Sequence, residues 1–322
     1  LGDVYKRQAD IRSGLEEWSH PTPLPIYSLG RPEVTKITNR GQESFVLKMQ
    51  VSNNSDYDGI IHIDIQGVGR SSQNDIDPRT SRKIPLEAHQ TKELVSVWED
   101  APRDVTVNTL ISGNLPSVIN QPVGNIRQER RQNIDAEGDF IISDSSFGTE
   151  GEIIVDNEDS TLFILSEPDV VGLLPKWLDK VEDTSFKYSG VSSWRPPLEW
   201  TATTNANYYG KYIRSAYVIK SGNGSQTATW KIPVPSEGTY DAYYYVSKDN
   251  ELRYNDRAQG EYRFRIRQGE ESEDAYINLR KANEGWEQLG VYYFVADTAY
   301  ITLTNECKLR SVTADAVKLV KR

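Results

Sequence analysis

The chain has 322 residues, with 47 acidic against 37 basic side chains, a formal net charge of −10 and no dense basic stripe. Binding nucleic acid needs positive charge to displace counterions from phosphates, so the balance argues against that function, and an acidic membrane surface repels the chain for the same reason. The single cysteine, Cys307, rules out an intramolecular disulfide framework or a multi-cysteine zinc site, and the sequence has no run of about 18 apolar residues to read as a membrane span.

Length alone, at about 150 residues per domain, suggests two domains, each able to bury its own core. Eighteen tyrosines and seven tryptophans against one methionine favour strands over helices. At the start, Asp3-Val4-Tyr5-Lys6-Arg7-Gln8 is the translation of GAT GTG TAT AAG AGA CAG, a transposase sequencing adapter. Residues 1–8 are therefore expected to be foreign sequence fused to a gene fragment, and the protein is expected to extend further upstream. Residues 9–30, with Pro21, Pro23 and Pro25, read as a stiff, extended linker.

Alternation begins at Arg31. Phe45, Leu47, Met49 and Val51 fall at period two, Asn53 to Gly59 is rich in turn formers, and Ile61, Ile63 and Ile65 form the returning strand. Further strands are expected at 81–86, 92–97 and 105–111. Short strands with turns about every ten residues predict an antiparallel immunoglobulin- or fibronectin-like sandwich over 31–119. This pattern also resembles the Ig-like spacers of large extracytoplasmic bacterial proteins. The strongly charged Arg127–Gln132 and the Asp135–Asp139 run mark 120–149 as a solvated linker, with room for an edge strand at 140–142.

Beyond Asp159, Leu173, Leu174, Trp177, Leu178 and Val181 recur at steps of three and four, which predicts a short helix with Pro175 early in it. Strands are then expected at 217–220, 228–232, 240–246, 262–266 and 276–279, with Gly222-Asn223-Gly224-Ser225 as a hairpin turn.

The end of the chain is the most informative part. Gly285-Trp286-Glu287-Gln288-Leu289-Gly290, then Val291–Phe294, Ala299–Asn305 and Ala314-Asp315-Ala316-Val317-Lys318-Leu319 form three successive strands with turn signals between them. Upstream stand Ile153–Asp159, Trp200-Thr201, Tyr208-Tyr209-Gly210, Ala228-Thr229-Trp230 and Glu237–Asp241. In this order the anchors, over about 150–321, resemble the golvesin and xanthan-lyase C-terminal domain. The resemblance implies a carbohydrate-binding-module-like, jelly-roll-like β-sandwich over 150–322, carried on a secreted bacterial protein at an extracellular, cell-surface or periplasmic location.

Catalytic motifs are missing. His20, His62 and His89 are widely spaced, and none has the i, i+4 partner of a zinc-protease helix. The sequence lacks a Gly-x-Ser-x-Gly elbow, Cys307 lacks a local partner motif, and Gly67-Val68-Gly69 lacks the third glycine of a dinucleotide loop. Acid pairs remain, since glycosidases need two carboxylates flanking one bond; Glu270–Asp274 reads as a charged loop tip.

Two constellations bear on binding. Asp156, Glu158 and Asp159 end the first strand of the second domain, and Asp315 opens its last. Such oxygen-rich groups either hold a structural Ca²⁺ or cap loose backbone N–H groups at strand ends. Trp194 and Tyr209, with Arg195 and Asn207 beside them, either stack a sugar ring and bond its hydroxyls or pack into the core; Trp200 and Trp230 are expected in the core. Three functions follow: an accessory module binding polysaccharide or cell-surface glycan, a structural spacer, and the C-terminal piece of a lyase or peptidase with its catalytic domain upstream. No enzymatic activity is expected of these residues.

Overall fold

In the computed structural model the described residues are 23–39, 42–68, 70–72, 75–129, 136–143, 151–166, 187–191, 195–247 and 260–322. They form antiparallel sheets almost throughout, and the chain divides into two units, Leu1–Gly113 with Asn120–Ser145 and Asn114–Ile119 with Ser146–Arg322. The helix expected at 173–181 lies outside the described residues, as does the adapter stretch 1–8.

In the first unit, one sheet runs in the order Arg127–Glu129, Glu33–Asn39, Gln42–Asn53, Thr91–Trp98, Gly138–Ile141, with Tyr27–Leu29 also pairing the third of these. A second sheet is ordered Val118–Pro122, Asp104–Asn108, Gly59–Gln66, Ser81–Leu86. The period-two residues behave as their spacing requires. Leu47, Met49, Val51, Ile61, Ile63 and Ile65 are buried in one core with Trp98, Val105 and Val107, and Phe45 packs at its border. His62 lies on the opposite strand face, where its Nε2 is 2.9 Å from the Ser81 hydroxyl. Within 120–149, read as a linker with room for an edge strand at 140–142, that edge strand is present and a second one precedes it. Arg127–Glu129 pairs in parallel with Thr35–Ile37, and Gly138–Ile141 is the edge partner of Lys92–Val95. Edge strands keep one side in water, so a charged sequence can serve as strand without an apolar face to announce it.

In the second unit, a four-stranded sheet runs Glu152–Val155, Val317–Lys321, Gly238–Val246, Gly285–Phe294. A five-stranded sheet runs Phe163–Leu165, Thr227–Pro233, Thr298–Thr304, Glu261–Gln268, Glu271–Asn278. Thr201–Thr204, Ser215–Lys220 and Ser311–Ala314 make a smaller third sheet. The two larger sheets face each other across one core: Tyr240, Ala242, Tyr244 and Val246 from the first meet Trp230, Ile232, Phe264, Ile266 and Ile301 from the second, all buried. Between Ala242 and Tyr243 the pairing with Gly285–Phe294 shifts register, leaving Leu289 as the extra residue of a β-bulge with its side chain in the core.

Rings set the spacing of this core. Tyr244 lies 5.0 Å from Phe264 and 6.2 Å from Trp230 between centroids. Trp230 donates its indole N–H to the Asp315 carbonyl at 3.2 Å, and the Tyr244 hydroxyl donates to the carbonyl of Thr313. Trp230→Ala is expected to cost about 3–5 kcal/mol of stability, as for other buried large aromatics. Trp230→Phe, which keeps a ring but strands a buried carbonyl, should cost about 1–3 kcal/mol. Urea unfolding of both variants checks the order; a Trp230→Phe variant as stable as wild type would show that the indole N–H contributes nothing.

Candidate functional site

Strand alternation sends Tyr240, Ala242, Tyr244 and Val246 into the core and leaves Tyr243 and Tyr245 on the outward face of the four-stranded sheet. Register places Trp286 opposite Tyr245 and Lys318 opposite Tyr243. Tyr209 joins them from the loop between Thr204 and Ser215, its ring 5.4 Å from Tyr245 and 5.1 Å from Trp286; Tyr245 and Trp286 meet edge to face at 5.2 Å. All three rings are half-buried. The Lys318 ammonium lies 4.9 Å from the Trp286 ring, 5.1 Å from the Tyr243 ring and 2.8 Å from Glu152 Oε1. A cation so largely withdrawn from water is held by a carboxylate and two ring faces together.

The loop bearing Tyr209 is fixed by its own polar groups. Asn205 Oδ1 accepts the Asn207 N–H at 3.0 Å, the Asn205 carbonyl accepts the Tyr208 N–H at 3.1 Å, and Arg214 donates to the Ala206 carbonyl at 2.9 Å. Gly210, at φ +149°, must be glycine, because a Cβ there would come within 1.9 Å of the Ile213 carbonyl oxygen. The Tyr209 N–H then reaches both carboxylate oxygens of Asp315 at 3.2 Å.

Asp315 is fully buried. Burial pushes its carboxyl well above the ordinary range and the nearby Asp156 raises it further, against the opposing pull of the Tyr209 N–H and Arg214. Burial likewise pushes Asp156 up to about 8, with Asp159 and Glu158 adding to the rise. Tyr209 is pushed up to about 12, first by burial and then by Asp156 and Glu152, so its hydroxyl stays protonated near neutral pH. Glu158 is the exception. Although burial opposes it, bonds from Lys187 at 2.5 Å, the Ser215 hydroxyl and the Tyr188 hydroxyl at 2.9 Å hold it below the usual value.

The structure therefore sorts the sequence-derived residues. Of the four carboxylates read as a calcium set, Asp156 and Asp315 are near neighbours, while Asp159 turns back to accept the Asp156 N–H at 2.8 Å and Glu158 is occupied by Lys187 and two hydroxyls. Among the described residues, no group of three or more His, Cys, Asp or Glu is placed to hold a metal ion. Of the sugar-stacking set, Trp194 lies outside the described residues, Arg195 and Asn207 are exposed, and Tyr209 is in the aromatic cluster. Trp230 is in the core and Trp200 packs against it. Sequence reasoning passed over Tyr243, Tyr245, Trp286 and Lys318. The signal was there: three consecutive tyrosines, 243–245, cannot all face inward in a strand.

Residues 191–321 match the family model of the Golvesin C-terminal domain. The folded sheet reaches further upstream than the match, since Glu152–Val155 pairs with Val317–Val320. Among solved structures, the chain is similar to Paenibacillus xanthan lyase, at 16% identity and a TM-score of 0.38 over 94% of this chain and 27% of that one. It is also similar to the Podospora anserina GH26-CBM35 β-(1,4)-mannanase, at 14% identity and a TM-score of 0.26 over 40% of this chain and 27% of that one. The chain thus spans about a quarter of the length of either protein. Comparison with curated protein sequences gives no match.

A pH dependence follows from the two raised carboxyls. An unfolded aspartate titrates near 4, about four units below folded Asp156, so between those values the folded state holds the extra proton. The stabilising contribution of that proton is complete below about pH 4 and is lost as pH rises through about 8. Glu158 acts in the opposite sense, its contribution fading as acid protonates it. The thermal midpoint should therefore fall from about pH 5 to about pH 8, and Asp156→Asn should flatten the slope. A Ca²⁺ ion at Asp156 would keep the carboxylate ionised and abolish the slope, so the same titration with Ca²⁺ and with chelator separates proton from metal.

Proposed function

We propose that residues 150–322 form a non-catalytic accessory module that recognises a neutral glycan through the Tyr209–Tyr245–Trp286 face, on a longer secreted or surface-exposed bacterial protein. The observation that carries this reading is the set of three half-buried rings fixed on the outward side of a sheet, with a tyrosine hydroxyl that remains a donor near neutral pH. Sugar rings present C–H faces that stack on aromatic planes, and rings anchored on strands lose little freedom on binding. The family match over 191–321 agrees with an accessory role.

A non-catalytic role is supported by the carboxylates themselves. Asp156 and Asp315 carry the raised values that an acid catalyst needs, but Asp315 is fully buried against the Tyr209 backbone and cannot flank a glycosidic bond. We assign no cofactor to this function, and place any catalytic domain of the parent protein outside these residues.

Affinity electrophoresis of the full chain through a panel of neutral polysaccharides tests the reading. A stacked ring is worth about 1–3 kcal/mol by analogy with base stacking, so Trp286→Ala should weaken retardation about tenfold or more. Tyr293→Ala, an exposed ring elsewhere on the same strand, should leave it unchanged. No retardation by any neutral polysaccharide overturns the reading in favour of a spacer whose clustered rings serve only to pack against one another.

A further inference from the structure

The opposite side of the second unit has a different character. Along Glu261–Gln268, Tyr262, Phe264 and Ile266 enter the core, and Arg263, Arg265 and Arg267 project outward from the five-stranded sheet. Thr298–Thr304 is the central strand of that sheet, and its outward residues are Thr298, Tyr300, Thr302 and Thr304. Register sets Lys231 directly across from Tyr300 on one side and Arg267 directly across on the other.

Charges along this face are met unequally. Arg263 pairs with Asp274 at 2.8 Å and Glu306 at 2.9 Å, and Arg265 shares Asp274 at 3.3 Å. Neither Arg267 nor Lys231 has an ion-pair partner among the described residues. Arg267 instead lies over the Tyr300 ring, its guanidinium carbon 4.4 Å from the centroid, and its one described hydrogen bond runs to the Gly269 carbonyl at 3.3 Å. A guanidinium held over a ring and by one backbone carbonyl keeps further N–H groups for a carboxylate acceptor. Adjacent strands stand about 4.8 Å apart, which puts Lys231 and Arg267 about 10 Å apart across Tyr300. In the next row, the hydroxyls of Thr229 and Thr302 lie 3.0 Å from each other, next to Arg265 in register.

From this arrangement we infer a second binding face that takes an acidic polysaccharide, with the carboxylate of a uronic acid paired to Arg267, a second carboxylate or ring oxygen reached by Lys231, and Thr229 and Thr302 offered to sugar hydroxyls. The chemistry matches the surroundings. A molecule of net charge −10 repels polyanions at long range, so two cations that meet no carboxylate among the described residues, one on each strand flanking the central one, mark the place where an acidic chain can approach. Two cations without an ion pair among the described residues are too few to hold a nucleic-acid backbone, whereas a uronate polymer brings spaced carboxylates together with hydroxyls. This inference does not rest on the neutral-glycan reading, because it uses the opposite sheet and different residues.

The probes are polygalacturonate and the same polymer with its carboxyls reduced. The full chain should be retarded by the first in affinity electrophoresis and not by the second, and retardation should weaken as salt is raised. The double variant Lys231→Ala/Arg267→Ala should lose at least tenfold in affinity with an unchanged thermal midpoint, and Arg267→Lys should recover only part of it. Arg263→Ala, whose charge is already met, should bind as wild type, and so should Trp286→Ala. Equal retardation by the carboxyl-reduced polymer, equal binding of single-stranded poly-dT, or wild-type affinity in the double variant overturns the proposal.

Discussion

The second unit depends on the meeting of Trp230 and Tyr244. Each belongs to a different sheet, and each buries a large ring against the other while its polar tip reaches the same short segment: the indole to the Asp315 carbonyl and the phenol to the Thr313 carbonyl. Tyr262 adds a third tie, its hydroxyl accepting the Thr313 N–H at 2.9 Å. Apolar area alone would let the sheets slide, because the hydrophobic effect has no direction. Three hydrogen bonds to residues 313–315 give it one. They hold Asp315 at the base of the last strand, Asp315 receives the Tyr209 N–H, and Tyr209 completes the outward ring cluster.

Electrostatics divides the unit into two kinds of surface. On the four-stranded sheet, the Lys318 charge is internal, closed off by Glu152 and two rings, and burial raises the carboxyls of Asp156 and Asp315 beneath it. On the five-stranded sheet the charges are external, and only part of them is matched. One sandwich thereby carries an aromatic cluster around a buried ion pair on one face and a row of outward arginines on the other.

How much of this was legible depended on whether a residue answers to a periodic rule. Leu47, Met49 and Val51 had to share a face, and so did Ile61, Ile63 and Ile65, because in a half-buried strand the apolar residues select the side. The closing motif from Gly285 to Leu319 was readable for a different reason: its order of turns and strands resembles one family, and residues 191–321 match that family. Arg127–Glu129 was taken for linker because edge strands need no apolar alternation, whereas the apolar residues at 140–142 did signal the edge strand Gly138–Ile141. Sequence left two roles open for the carboxylates because it gives proximity along the chain and not direction; Asp159 is next to Glu158, yet one turns to a backbone N–H, as a cap does, and the other to Lys187. Tyr245 and Trp286 were hidden among so many aromatics that composition pointed to the core, and only cross-strand register shows which rings face out.

The bulge between Ala242 and Tyr243 has a consequence for how such a unit behaves in company. Gly285–Phe294 is the outermost strand of its sheet and carries the exposed side chains of Val291 and Tyr293, a combination that invites the same strand of a second molecule to dock and extend the ladder. With Leu289 inserted as an extra residue, the strand is bent and twisted near its middle, and a straight partner cannot stay in register across the bend. Copies crowded side by side on a surface can therefore remain separate molecules instead of growing into a continuous sheet.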